Sequence, residues 1–232
     1  MLSVANINIK ISNRDILRDV SAHFGPGLHF IIGPNGSGKT SLLRSIMGFM
    51  EFDGDIFWDK KSLKSYSLKD KARLISWLPQ HPSWPAHLSI EDYVLLGRFP
   101  HLGWMGNYTQ HDRDIARSTL AETGFSNRSA ESIGVLSGGE RQQIQLARAL
   151  AQDTPVMLLD EPGQALDPFN KEILYKTLQD LSQSKTIICT THDLEALETP
   201  GALVHAMKAG KILWQKESGL NRAFLMEDVF SV

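Results

Sequence analysis

LHFIIGPNGSGKTSLLRSIMG, residues 28–48, decides the fold. LHFII reads as a buried strand, and Leu42, Leu43, Ile46 and Met47 recur at the spacing of one helix face, with Gly48 placed to end that helix. Between them GPNGSGKT, residues 33–40, fits G-x-x-x-x-G-K-[ST], a turn whose backbone N–H groups point at phosphate oxygens. Gly33, Gly36 and Gly38 allow the backbone angles and close approach that a side chain would block, and Pro34, Asn35 and Ser37 complete the cradle. Lys39 is suited to the β- and γ-phosphates, Thr40 to Mg²⁺ through its hydroxyl, and the helix start to the polyanion as a whole. The expected ligands are therefore ATP or a similar nucleotide, with Mg²⁺.

Three more apolar runs each stop at a residue able to do chemistry: LISWLPQ at Gln80, VMLLDE at Asp160 and Glu161, and TIICTTH at His192. Unbroken apolarity suits parallel strands covered on both faces, and ligands of such sheets collect at the carboxyl ends of the strands. Asp160 is placed to hold Mg²⁺ through its water shell, and Glu161 beside it to take a proton from an attacking water. Upstream, the alternation of Val4, Ile7, Ile9 and Ile11, then Val20, Ala22 and Phe24, predicts antiparallel strands with one solvated face. From Gln80 to Leu136 the pattern turns helical and loop-rich, as an inserted lobe, and VHAMKAGKILWQ predicts a hairpin turning at Ala209 and Gly210, followed by a short helical tail.

LSGGERQQIQLARAL, residues 136–150, opens as a helix start. Ser137 is the N-cap and Glu140 the other half of a capping box, two glycines leave the N–H groups uncovered, and Ile144, Ala147, Leu150 and Ala151 form one buried face. Spacing leaves open whether this is only a well-capped helix or also an anion site. Lying between the phosphate loop and VMLLDE, the stretch resembles the signature of the ATP-binding-cassette ATPases, and the likeness covers nearly the whole chain. It implies an α/β fold: a P-loop NTPase core with a mainly parallel sheet, an N-terminal antiparallel β-subdomain and an α-helical subdomain inserted at about residues 82–152, all in one ATPase domain spanning 1–232.

The resemblance also implies roles. Gln80 is the Q-loop residue that touches Mg²⁺ and the attacking water, and His192 the switch histidine that reaches the γ-phosphate and helps position Glu161. Ser137, Gly138 and Gly139 face the nucleotide held by the phosphate loop of a second, head-to-tail copy, so that ATP joins a homodimer. Asp167 belongs to GQALDP, residues 163–168, the D-loop crossing the dimer; Gly163 and Gln164 stand where the family usually has small hydroxyl residues. Ile11 occupies the position of the family's adenine-stacking aromatic, which leaves apolar contact with the base and removes ~1 kcal/mol of stacking.

Composition narrows the partners. A formal charge of -2 gives no global basic field, and nucleic acid is not an expected partner. No apolar run approaches the ~20 residues of a bilayer span, and MLSVANINIK lacks a signal core, so the chain is expected neither to cross a membrane nor to be exported. The lone Cys189, inside TIICTTHD, reads as a buried structural thiol. YVLLGRFPHLGWMG, residues 93–106, resembles a segment of importers of iron chelates, haem and vitamin B12. Leu95, Leu96, Leu102, Trp104 and Met105 there would either form a groove for a short helix of an integral membrane permease or fill the lobe's own core. Such cassettes work on the cytoplasmic face of the cell membrane beneath two permease subunits fed by an external substrate-binding protein. An exporter cassette or another importer remains the alternative; a soluble non-transport cassette would carry two copies or a long coiled coil, and a silent binding module would lack Lys39 or Glu161.

Overall fold

A computed structural model describes residues 1–103, 106–164, 166–219 and 226–230. The phosphate loop follows β3 (Gly27–Ile32), and the three other chemistry-bearing runs are β6 (Ile75–Leu78), β7 (Val156–Asp160) and β8 (Thr186–Thr191). With β9 (Leu203–Lys208) and β10 (Lys211–Glu217) they form a six-stranded sheet in the order β10-β9-β3-β8-β7-β6. All pairs are parallel except the β9–β10 hairpin, which turns at Ala209 and Gly210. The register sets Ile32 beside Thr191, Asp160 beside Thr190 and Leu78 beside Leu159. Four neighbouring strands thus end level with one another.

Both faces of this sheet are covered, which is why its strands are apolar throughout. On one side α5 (Gly138–Ala151) and α6 (Pro168–Ser182) bury Leu146, Leu174 and Leu178 against Phe30, Leu159 and Cys189. On the other, α1 (Lys39–Met47) brings Leu42, Leu43 and Ile46 against Ile31, Leu158 and Ile188. Cys189 is fully buried, and burial pushes its thiol well up, as a structural residue. Gly48 ends α1 in the left-handed conformation at φ 79°. Of the tail, Met226–Phe230 forms a single π-helical turn whose Val229 packs into the core.

The second sheet is antiparallel, in the order β2-β1-β4-β5, from β1 (Leu2–Ile11), β2 (Arg14–Phe24), β4 (Asp53–Trp58) and β5 (Lys61–Ser62). Its alternation is not continuous. Asn6 and Asp19 sit at φ 53° and 52° where the β1–β2 register shifts, so Leu2 and Val4 face inward on one parity and Ile7 and Ile9 on the other. A further shift after Ile9 and the tight turn at Ser12 and Asn13 leave Ile11 48% exposed, outside the pattern the sequence predicts.

Between β6 and β7 lies a lobe with its own core. Here α3 (Ile90–Leu95), α4 (Gln110–Glu122) and α5 bury Tyr93, Leu95, Leu120, Ile144 and Ala147 together. GRFPH, residues 97–101, runs as 3₁₀ turns against the end of α5. A Cβ on Gly97 would lie 2.3 Å from the Arg148 carbonyl oxygen, so only glycine permits this approach. Buried Arg98 donates to Asp112 Oδ1 at 3.0 Å and to the Ala151 carbonyl at 2.8 Å, and His101 Nε2 lies 2.8 Å from the Gln152 carbonyl. Two basic residues thereby cap the negative end of α5. Burial alone pushes the Asp112 carboxyl up, but hydrogen bonds from Thr109 and the Arg98 guanidinium outweigh it and hold it at about 2. From α2 (Leu68–Leu74), Lys69 donates to the Leu102 carbonyl and Arg73 to the Pro100 carbonyl, tying the segment to the core. Leu95 and Leu102 are therefore buried and line no surface groove; Leu96 and Phe99 are the exposed apolar residues, at 40% and 68%. Trp104 and Met105 lie outside the described residues.

Candidate nucleotide site

At the level strand ends opens a cavity of about 690 Å³, lined by Asn35 to Ser41, Gln80, Glu161, Gln164 and His192, with Arg14, Asp15, Ile16 and Arg18 of β2 and the 209–210 turn at its mouth. The loop keeps its shape because Gly38, at φ 106°, starts α1 where a Cβ would strike Leu17 Cδ2 at 2.6 Å. Lys39 is buried; its Nζ donates to the Gly33 carbonyl at 2.7 Å and the Pro34 carbonyl at 3.3 Å, and lies 3.8 Å from Glu161 Oε1. Burial pulls the Lys39 ammonium down from its ordinary value, and the carboxylates of Glu161 and Asp160 oppose that pull.

Thr40 and Asp160 meet directly, the hydroxyl donating to Asp160 Oδ1 at 3.0 Å, while Thr190 Oγ1 donates to the same oxygen at 2.7 Å. Among the described residues no group of three or more His, Cys, Asp or Glu could hold a metal ion. A cation here would take the Thr40 hydroxyl, the Asp160 carboxylate directly or through water, and the Gln80 amide oxygen from the protein, and the rest of its shell from phosphates and water, which suits Mg²⁺ and its preference for few protein ligands.

Glu161 follows the strand in a left-handed conformation, φ 50°, held by its N–H donating to the Thr190 carbonyl and hydroxyl at 3.1 and 3.0 Å. Its carboxylate is largely buried between Lys39 and His192, whose Nδ1 lies 2.7 Å from Glu161 Oε2 while its ring is half exposed. Gln80 Nε2 donates to Gln164 Oε1 at 2.8 Å across the cavity. Gln80 and Asp160 also line a smaller hollow of about 340 Å³ with Arg44, Phe49 and Trp77, where Phe49 is 62% exposed.

Ser137, Gly138 and Gly139 do not line the large cavity. Ser137 caps α5 in a complete capping box with Glu140, and a Cβ on Gly138 would meet nothing within 4 Å, so this helix start is open. The Ser137 N–H and the Arg128 guanidinium hold the Glu140 carboxyl at about 2. Asp167 is N-cap of α6, accepting from Asn170 N and Nδ2 at 3.0 and 2.6 Å, and does not line the cavity either. Ile11 is likewise not among the lining residues; Ile16 and the arginines of β2 are. Those β2 residues and the Gln80–Gln164 bond were not read from the sequence: the first depend on the bulged register, and the second joins amides 84 residues apart, although Gln164 stood out as a departure from the usual pattern.

The model of the ABC transporter family matches residues 17–164, more than half of the chain. The iron(3+)-hydroxamate import ATP-binding protein of Bacillus subtilis (strain 168) is 34% identical over 216 residues, covering 91% of this chain and 80% of that protein. The ferric enterobactin transport ATP-binding protein of Escherichia coli (strain K12) is 34% identical over 195 residues, 82% of this chain and 72% of that one. The fold matches that of a dimeric ATP-binding cassette bound to ADP and Pi, with a TM-score of 0.82 at 24% identity over 94% of this chain and 98% of that one. With the phosphate loop, the capped signature helix and the level strand ends already in place, the chain belongs to the ABC transporter family, as one of its ATP-binding cassettes.

Proposed function

We propose that this chain is the ATP-binding and hydrolysing subunit of a prokaryotic importer, acting as one ATPase domain over residues 1–232 with its helical lobe inserted at about 82–152. The observation that carries the reading is the shared register of β3, β8, β7 and β6, which gathers Lys39, His192, Glu161 and Gln80 around one cavity. Lys39 exchanges its backbone carbonyl partners for the β- and γ-phosphate oxygens, and the N–H groups of the loop take the remaining charge. Mg²⁺ bound with the nucleotide, held by Thr40, Asp160 and Gln80, would neutralise charge on the phosphate oxygens. Glu161 accepts a proton from water as its oxygen bonds to the γ-phosphorus and the bond to the ADP oxygen breaks; His192 holds the Glu161 carboxylate in line and reaches the γ-phosphate.

The open start of α5 supports a second copy in head-to-tail contact, with Ser137, Gly138 and Gly139 of each facing the other's triphosphate and Asp167 crossing between them. Exposed Phe49, next to the Gln80 hollow, with Leu96 and Phe99 on the lobe, suits contact with a permease helix. No helix among the described residues is long and apolar enough to cross a membrane. By likeness to the importer relatives, the proposed place is the cytoplasmic face of the cell membrane, under permease subunits served by an external substrate-binding protein. The relatives import an iron(3+)-hydroxamate or transport ferric enterobactin, and we extend iron chelates, haem or vitamin B12 to this chain as the cargo class. Ile11, 48% exposed at the end of β1, would give the base an apolar edge.

The test is Lys39→Ala in the purified chain: nucleotide binding should be lost. Tight ATP binding by that variant would overturn the phosphate-loop assignment. Copurification with a candidate many-span permease, followed by chelate uptake in vesicles, tests the cargo.

A further inference from the structure

Gln80 has a side chain with two nearly identical ends, an acceptor oxygen and a donor NH₂. A role beside a cation and an attacking water requires the oxygen to face them, since the NH₂ would put donor protons against a positive charge. Something must choose the rotamer end. In this chain Gln80 Nε2 donates to Gln164 Oε1 at 2.8 Å, and among the described residues the Gln80 side chain makes no other hydrogen bond. We propose that Gln164 is a positioning residue for hydrolysis, fixing the Gln80 amide so that its Oε1 is presented to Mg²⁺ and the attacking water. This rests on the ATPase reading above.

The local structure is built for that reach. Gln164 N donates to the Glu161 carbonyl at 3.2 Å and Leu166 N to the Gly163 carbonyl at 3.2 Å, a turn that carries Gln164 back over the strand ends. Gly163 lets the turn lie against α6, where a Cβ would be 3.1 Å from the Tyr175 hydroxyl. A small hydroxyl residue at position 164, as the family usually has before Ala-Leu-Asp, would end ~2.5 Å short of the Gln80 amide. The departure from the common pattern and the bond to Gln80 are therefore one feature. It joins the loop after β6 to the loop after β7 on the same rim that holds Glu161 and His192.

Phosphate release from MgATP by the purified full-length chain tests this, using Gln164→Met, which keeps side-chain length without an acceptor, and Gln164→Ser as a second variant. Both should lower kcat about fivefold, the effect of one orienting hydrogen bond, leave KM for ATP unchanged, raise the Mg²⁺ concentration for half-maximal rate and, without turnover, weaken binding of Mn²⁺ to the ATP-loaded chain as read by the Mn²⁺ EPR signal. In a Gln80→Ala background, neither should cost anything further. Equal losses in both backgrounds, or an unchanged kcat and Mg²⁺ dependence, would overturn the proposal while leaving the ATPase reading intact. A wild-type chain that binds ATP and releases no phosphate would overturn both.

Discussion

His192 Nδ1 lies 2.7 Å from Glu161 Oε2, so the ends of β8 and β7, already joined through backbone by the Glu161 N–H and the Thr190 carbonyl, also meet through side chains. Glu161 is braced on its other oxygen by Lys39 Nζ at 3.8 Å, so the proposed base lies between its proposed positioning group and the proposed phosphate-binding cation. Glu161→Gln keeps the shape and removes the basicity. Its turnover should fall by roughly 10²- to 10⁴-fold with ATP affinity retained. His192→Ala should lower kcat with little change in nucleotide affinity, measured by phosphate release against fluorescent-nucleotide binding; a matched loss of affinity would mean that His192 binds rather than positions.

Arg98 is the keystone of the lobe. Arg98→Ala leaves Asp112 buried without its guanidinium and frees the Ala151 carbonyl, and should destabilise the fold by about 3–5 kcal/mol in urea unfolding. Arg98→Lys should recover only part of this, because an ammonium cannot serve both acceptors with the same fork. Full stability of Arg98→Ala would remove GRFPH as the clamp on α5.

Acid should weaken the core through two histidines that the site does not use. His29 on β3 and His205 on β9 are buried 3.1 Å apart, with Phe24 packed against both rings. Burial lowers the pKa of His29 against a hydrogen bond to the Gly25 carbonyl, and burial with the neighbouring His29 lowers His205 to about 3. Both are neutral when folded. The unfolded chain takes up their protons below about 6.5, so their share of stability is intact above that pH and is lost progressively as pH falls below it, for His205 down to about 3. Melting temperature should drop from pH 7.5 to pH 5, and His205→Leu should flatten part of that slope; an unchanged slope would assign the loss to other groups.

How far the sequence reaches depends on the range of the interaction. Strand ends at Gln80, Asp160 and His192 were legible because continuous apolarity reports burial on both faces, and Ser137 with Glu140 was legible because a capping box is closed within four residues. Gly48 and the Ala209–Gly210 turn belong to the same local class. Ile11 was misread as part of an alternating face because the bulges at Asn6 and Asp19 depend on pairing between strands. Leu95 and the GRFPH turns are ordered by α5, about fifty residues further on, which no local period announces.

In the proposed dimer, ATP joins two copies through the loop of one and the α5 start of the other. Sedimentation of Glu161→Gln with saturating MgATP reads this assembly. A species of twice the 25.9 kDa chain mass should form only with ATP and be abolished by adding Ser137→Arg. A monomer at every ATP concentration, or a dimer indifferent to Ser137→Arg, would contradict it.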